Sequence, residues 1–144
     1  MTNMTLPLIL LLPSVLSQAL ASDCVPTAHR TTGTHYEPVT EQQINVGKGV
    51  MVSGRVLVAP DCTPVVNAKV AHWQAGEDGR YRDSLRAYLY TDDNGQFRFE
   101  TEWPALEPPH IHFIVSKYNL PTLETQWIGN HRVNKIIFDI ILEK

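Results

Sequence analysis

What most limits the folds open to this chain is a succession of short β-forming runs divided by turn signals. Val50–Val58 is rich in β-branched residues and is followed by Pro60-Asp61-Cys62-Thr63-Pro64. Ala68–Ala75 is a second strand candidate, closed by Gly76-Glu77-Asp78-Gly79. Leu85–Thr91 alternates and runs into Asp92-Asp93-Asn94-Gly95, where Asn-Gly suits a type I′ hairpin turn. Gln96–Thr101 then alternates cleanly between polar and apolar residues, and His110–Ser116 and Lys135–Leu142 complete the set. No window carries a sustained helical stripe. Strands of this length and spacing predict an all-β chain folded as an antiparallel β-sandwich.

The chain of 144 residues suits one domain. With a net charge of -3 and no Lys/Arg block, it offers no surface for nucleic acid. The segment from Leu6 to Leu20 is apolar but short for a bilayer span, and it is broken by Pro7 and Pro13. It ends in Ala19-Leu20-Ala21, a small-x-small cleavage pattern. Residues 1–21 therefore read as a secretory signal peptide, and the chain as exported, periplasmic or secreted, with no membrane attachment after cleavage. A membrane anchor is the competing reading. Residues 22–48 form a polar, loop-rich arm, and residues 49–144 form the sandwich domain.

Cys24 and Cys62 are the only cysteines, and both follow the cleavage pattern. In an oxidising compartment an even pair favours a disulfide, here one tying the arm to the domain. Two unrelated buried thiols are the alternative.

On a strand, residues i and i+2 share a face. His110 and His112 thus point one way while Ile111 and Phe113 point the other, and two imidazoles side by side form a chelating edge for a transition metal. Two exposed histidines on an edge strand would have the same spacing. Of His72 and Trp73, adjacent and so on opposite faces, Trp73 is the expected core residue. Tyr88 and Tyr90 share a face as ordinary sheet residues, and His29 and His35 belong to the solvated arm.

The wider pattern is more specific. Pro64 through Ala75, with its Trp-x-Ala strand, resembles the intradiol ring-cleavage dioxygenases. So do Gly79-Arg80-Tyr81, Leu85-Arg86 through Thr101, Pro104, Pro109-His110-Ile111-His112-Phe113 and Thr125-Gln126, in one order from Gly54 to Gln126. The resemblance implies a β-sandwich of the intradiol dioxygenase core type that holds a non-haem Fe(III). It also implies cleavage of a small aromatic diol, a catechol, with O2. It makes Tyr81, His110 and His112 metal ligands and places Gln126 beside the reacting ligand as a catalytic residue. Copper is the alternative metal for such donors.

The chain departs from the family pattern twice. The family has a second ligand tyrosine shortly after the proline matched by Pro104, whereas Ala105-Leu106-Glu107-Pro108-Pro109 contains none. The family's arginine three residues before the first histidine, thought to stabilise the ketonised substrate, is Glu107 here. His131, Glu107 and Tyr118 are the residues that could stand in as a further ligand. Three functions follow as expectations: a ring-cleaving dioxygenase, a non-catalytic binder of iron, copper or a metal–catechol complex, and a transthyretin-like or immunoglobulin-like domain with no metal. A homo-oligomer is compatible with all three.

Overall fold

A computed structural model describes residues 24–33 and 36–144. The expected signal peptide and His35 lie outside the described residues. Among these residues nine strands run in the order β1 (Val50–Val58), β2 (Thr63–Pro64), β3 (Lys69–Ala75), β4 (Tyr81–Tyr90), β5 (Gln96–Thr101), β6 (His110–Ser116), β7 (Leu123–Ile128), β8 (Lys135–Ile137) and β9 (Ile140–Leu142). Among the described residues no helix is long and apolar enough to cross a membrane.

Two sheets face each other. One has the order β4-β3-β6-β7 and is antiparallel throughout. In the other, β1 pairs antiparallel with β2 and β5 but parallel with β8 and β9. The Lys135–Leu142 run, expected as one strand, is thus two. Between them Phe138 and Asp139 leave the ladder, and Arg55 holds Asp139 through its backbone N–H and its guanidinium (2.9 and 2.8 Å). Gly54 makes this possible, because a Cβ there would lie 2.0 Å from the Phe138 carbonyl oxygen.

The Asp92–Gly95 turn also differs from expectation. It does not join a paired hairpin: β4 belongs to one sheet and β5 to the other. Of its residues only Gly95 has a positive φ (72°), so the turn is not type I′. The Asp92 carboxylate accepts from the N–H groups of Asn94 and Gln96 (2.9 and 2.8 Å), which stabilises an ordinary bend closed by the Gly95 N–H on the Asp92 carbonyl. At the end of β4, Thr91 Oγ1 donates to the Val65 carbonyl (2.6 Å) and accepts from the Ala68 N–H (2.8 Å), which holds that end away from β5.

The core between the sheets takes alternate residues from each strand: Val50, Val52 and Val56; Val70; Leu89; Phe97 and Phe99; Ile111, Phe113 and Val115; Ile136, Ile140 and Leu142. Burial of such side chains stabilises by about 1.5–3 kcal/mol each relative to exposure. His72 and Gln74 share this inward face with Val70. Trp73 therefore faces outward. It is fully buried, as expected, but under the arm rather than between the sheets, and His72 is buried as well. The His72 imidazole lies parallel on Phe99 (centroids 3.6 Å apart, planes 7°). Neither ring nitrogen has a hydrogen-bond partner among the described residues.

Among its described residues the arm has no regular strand. The Cys24–Cys62 disulfide, with a sequence separation of 38, fixes its start. It then follows β7, crosses the outer face of the four-stranded sheet, and reaches β4, where Gln43 and Glu41 bond the Tyr88 backbone (3.1 and 2.9 Å). Tyr88 and Tyr90 stand on that outer face, edge to face at 5.8 Å. His29 is exposed, with Glu124 at 3.8 Å.

Two stability outcomes are expected. Replacing Cys24 and Cys62 by serine releases a long loop and lowers stability by roughly 3–4 kcal/mol, read as a fall in Tm; an unchanged Tm would contradict the tether. Burial lowers the His72 pKa from 6.5 to about 3. The unfolded chain therefore takes up a proton that the fold refuses. The stability contributed by neutral His72 is complete above pH 6.5 and is lost as pH falls toward 3, by up to about 1.4 kcal/mol per pH unit. Urea unfolding from pH 7 to pH 4 should show a shallower acid loss for His72→Leu than for the wild type, and identical slopes would refute the assignment.

Candidate metal centre

The site lies on the outer face of the four-stranded sheet. Register pairs Trp73 with both Arg86 and His112, and His112 with Gln126. One row therefore runs across the sheet: Arg86 on β4, Trp73 on β3, His112 on β6 and Gln126 on β7. Tyr81 comes to the same face through an irregularity. It has the parity of Leu85, Ala87 and Leu89, which point inward. Between Trp73 and Ala75, however, the register with β4 slips, so that Ala75 faces Tyr81. This bulge turns the phenol outward. The preceding bend has Gly79 at φ 74°, with its N–H on the Gly76 carbonyl (2.9 Å). That is the conformational reason for glycine in Gly79-Arg80-Tyr81.

The Tyr81 hydroxyl oxygen stands 3.1 Å from His110 Nε2 and 3.0 Å from His112 Nε2. The two imidazoles are nearly perpendicular, with centroids 4.9 Å apart. The His110 Nδ1–H donates to the Pro108 carbonyl (2.9 Å), which leaves Nε2 with its lone pair toward Tyr81. His112 lies flat on Trp73 (5.0 Å, planes 5°), and Tyr36 from the arm meets Trp73 edge-on at 5.5 Å. Burial raises the Tyr81 pKa above the usual tyrosine value, while the positive charge of Arg86 opposes the shift.

Three donor atoms from two strands thus converge. Ligands that share a transition ion at about 2.0–2.1 Å stand about 3 Å from one another, the spacing found between Tyr81 and each histidine. Among the described residues no group of three or more His, Cys, Asp or Glu has metal-site geometry; the third donor here is a phenol oxygen. Two imidazoles and a phenolate suit a hard or borderline ion, Fe(III) or Cu(II). A cleft of about 720 Å³ opens over them, lined also by Arg80, Leu106, Thr32 and Gly33.

Of the residues singled out in the sequence, Tyr81, His110 and His112 are brought together. Gln126 is one strand away, its side-chain amide donating to the Thr31 carbonyl (2.8 Å). His131 bonds its neighbour Asn130 and does not line the cleft, nor does Glu107. Tyr118 is exposed beside Lys69, Tyr90 and Ser116, at the opposite end of β3, β4 and β6. Trp73, Thr32 and Gly33 were not anticipated. The signal for Trp73 was its parity against Val70; an aperiodic arm carries none for Thr32 and Gly33.

Solved structures share this architecture. The dioxygenase domain of a carbohydrate-binding fusion protein from Streptomyces sp. SirexAA-E aligns with TM-score 0.74 and 22% identity, covering 83% of this chain and 99% of that domain. The 3-chlorocatechol 1,2-dioxygenase of Rhodococcus opacus aligns at 0.72 and 17%, covering 82% and 72%. An intradiol ring-cleavage dioxygenase from Tetranychus urticae aligns at 0.66 and 22%, covering 72% and 64%. This is the intradiol dioxygenase fold. No family model matches the chain. A curated relative, the hydroxyquinol 1,2-dioxygenase of Corynebacterium glutamicum, is 30% identical over 107 aligned positions, which take in 55% of this chain. The chain spans about a third of that protein's length, 35%. The resemblance to the intradiol dioxygenases thus holds in sequence and in fold, and the three converging donors sit on the intradiol sheet.

Metal analysis tests the ligand assignment. The His110→Ala/His112→Ala protein should retain less than about a tenth of the wild-type metal, since loss of two of three ligands removes most of the affinity. Equal loading of the two proteins would rule these ligands out.

Proposed function

We propose that this is an exported non-haem iron(III) protein that binds a catechol-type aromatic diol and cleaves its ring with O2. The observation that carries the reading is the convergence of the Tyr81 hydroxyl on Nε2 of both His110 and His112. The resemblance to the intradiol dioxygenases supports the reaction class, and the Cys24–Cys62 disulfide supports an oxidising compartment. A ferric ion held by these residues would supply Lewis acidity, drawing in a catechol as its anion and activating it toward oxygen. His110 would bind through Nε2, because the Pro108 carbonyl engages its Nδ1–H. Tyr81, neutral in the metal-free fold, gives up its proton on ligation and contributes negative charge. The cleft of about 720 Å³ admits ligands larger than catechol itself.

Two departures in the sequence favour a second reading, in which the same site binds iron, copper or a metal–catechol complex without turnover. Ala105–Pro109 brings no second phenol, and Glu107 puts an acidic residue where the family has an arginine. Iron-loaded protein should show a visible tyrosinate charge-transfer band that Tyr81→Phe abolishes. Oxygen consumption with catechol, protocatechuate and larger catechols separates the readings. Uptake supports the dioxygenase; a fully loaded protein that consumes no oxygen leaves the binding function.

A further inference from the structure

We infer that Gln126 is a positioning residue and that the arm it holds is a built wall of the ligand site. The ligand class, an aromatic diol, rests on the function proposed above; the wall itself does not. Three contacts tie the arm to β7 in succession. The Arg30 N–H donates to the Glu124 carbonyl (2.9 Å), Thr125 Oγ1 donates to the Ala28 carbonyl (2.9 Å), and Gln126 Nε2 donates to the Thr31 carbonyl (2.8 Å). The last of these immediately precedes Thr32 and Gly33, which line the cleft with Tyr81, His110 and His112. Gly33 has φ 72°, a turn at the cleft rim. Beyond it, Tyr36 rests on the Trp73 ring that backs His112. Gln126 shares the face of His112, yet its amide N–H is committed to the arm. It sets the distance between Thr32–Gly33 and the metal donors, and so the width of the slot a flat ring must enter.

Gln126→Glu keeps the shape and removes the donor; Gln126→Ala removes both. In metal-free protein, amide hydrogen exchange at Arg30, whose N–H is bonded to the Glu124 carbonyl beside the lost contact, should accelerate roughly tenfold in either variant. In the iron-loaded full chain, metal content and the tyrosinate band should be unchanged. The Kd of 4-nitrocatechol, read by visible titration, should weaken roughly tenfold. Where turnover is measurable, KM should rise with kcat within about twofold. Unchanged exchange and Kd would overturn the inference. So would a fall in kcat at constant KM, which makes Gln126 catalytic, or loss of iron, which makes it part of the metal shell. Wild-type iron protein that fails to bind 4-nitrocatechol would defeat the proposed function alone; hydrogen exchange would still decide the role of Gln126.

Discussion

Strand β3 pairs with β4 and β6 at once, and between Trp73 and Ala75 its register with β4 slips. Without that slip, Tyr81 would follow Leu85, Ala87 and Leu89 into the core, and its phenol oxygen would lie on the far side of the sheet from His110 and His112. The slip is by three residues, and an odd slip moves a side chain through the sheet. The site exists because the rest of β4 keeps its inward set while its first turn is re-aimed.

The same strand separates two chemistries. Inward, Val70, His72 and Gln74 face the apolar interior, where Gln74 is satisfied by Thr101 Oγ1 (3.0 Å) and the Glu102 carbonyl (2.7 Å). Outward, Trp73 gives His112 a flat support, and the arm covers Trp73. Order at the site thus comes from three directions: strand pairing from the sides, the indole from beneath, and the disulfide-tied arm from above.

Much of this was legible in the residues. Val50–Val58, Gln96–Thr101 and His110–Ser116 are strands with the bounds their alternation suggests, because in each one face is core and the other is not. His110 and His112 share a face for the same reason. Strand β7 was missed: Leu-Glu-Thr-Gln-Trp-Ile is half-buried on both faces, since the arm covers one of them, and its alternation is blurred. The side on which Tyr81 lies could not be read, because a bulge leaves no periodic trace. The Asp92–Gly95 turn was visible as a turn, but a four-residue signal does not say whether the next strand stays in the same sheet. The arm was unreadable as structure because backbone carbonyls and N–H groups, which every residue carries, account for most of its attachments.

The placement of the donors outside the packed interior has an evolutionary corollary. Tyr81, His110 and His112 contribute none of the apolar side chains that fill the space between the sheets. Such a scaffold can exchange these side chains without reopening the space between the sheets. A further side chain could thus be added at the cleft without repacking the interior.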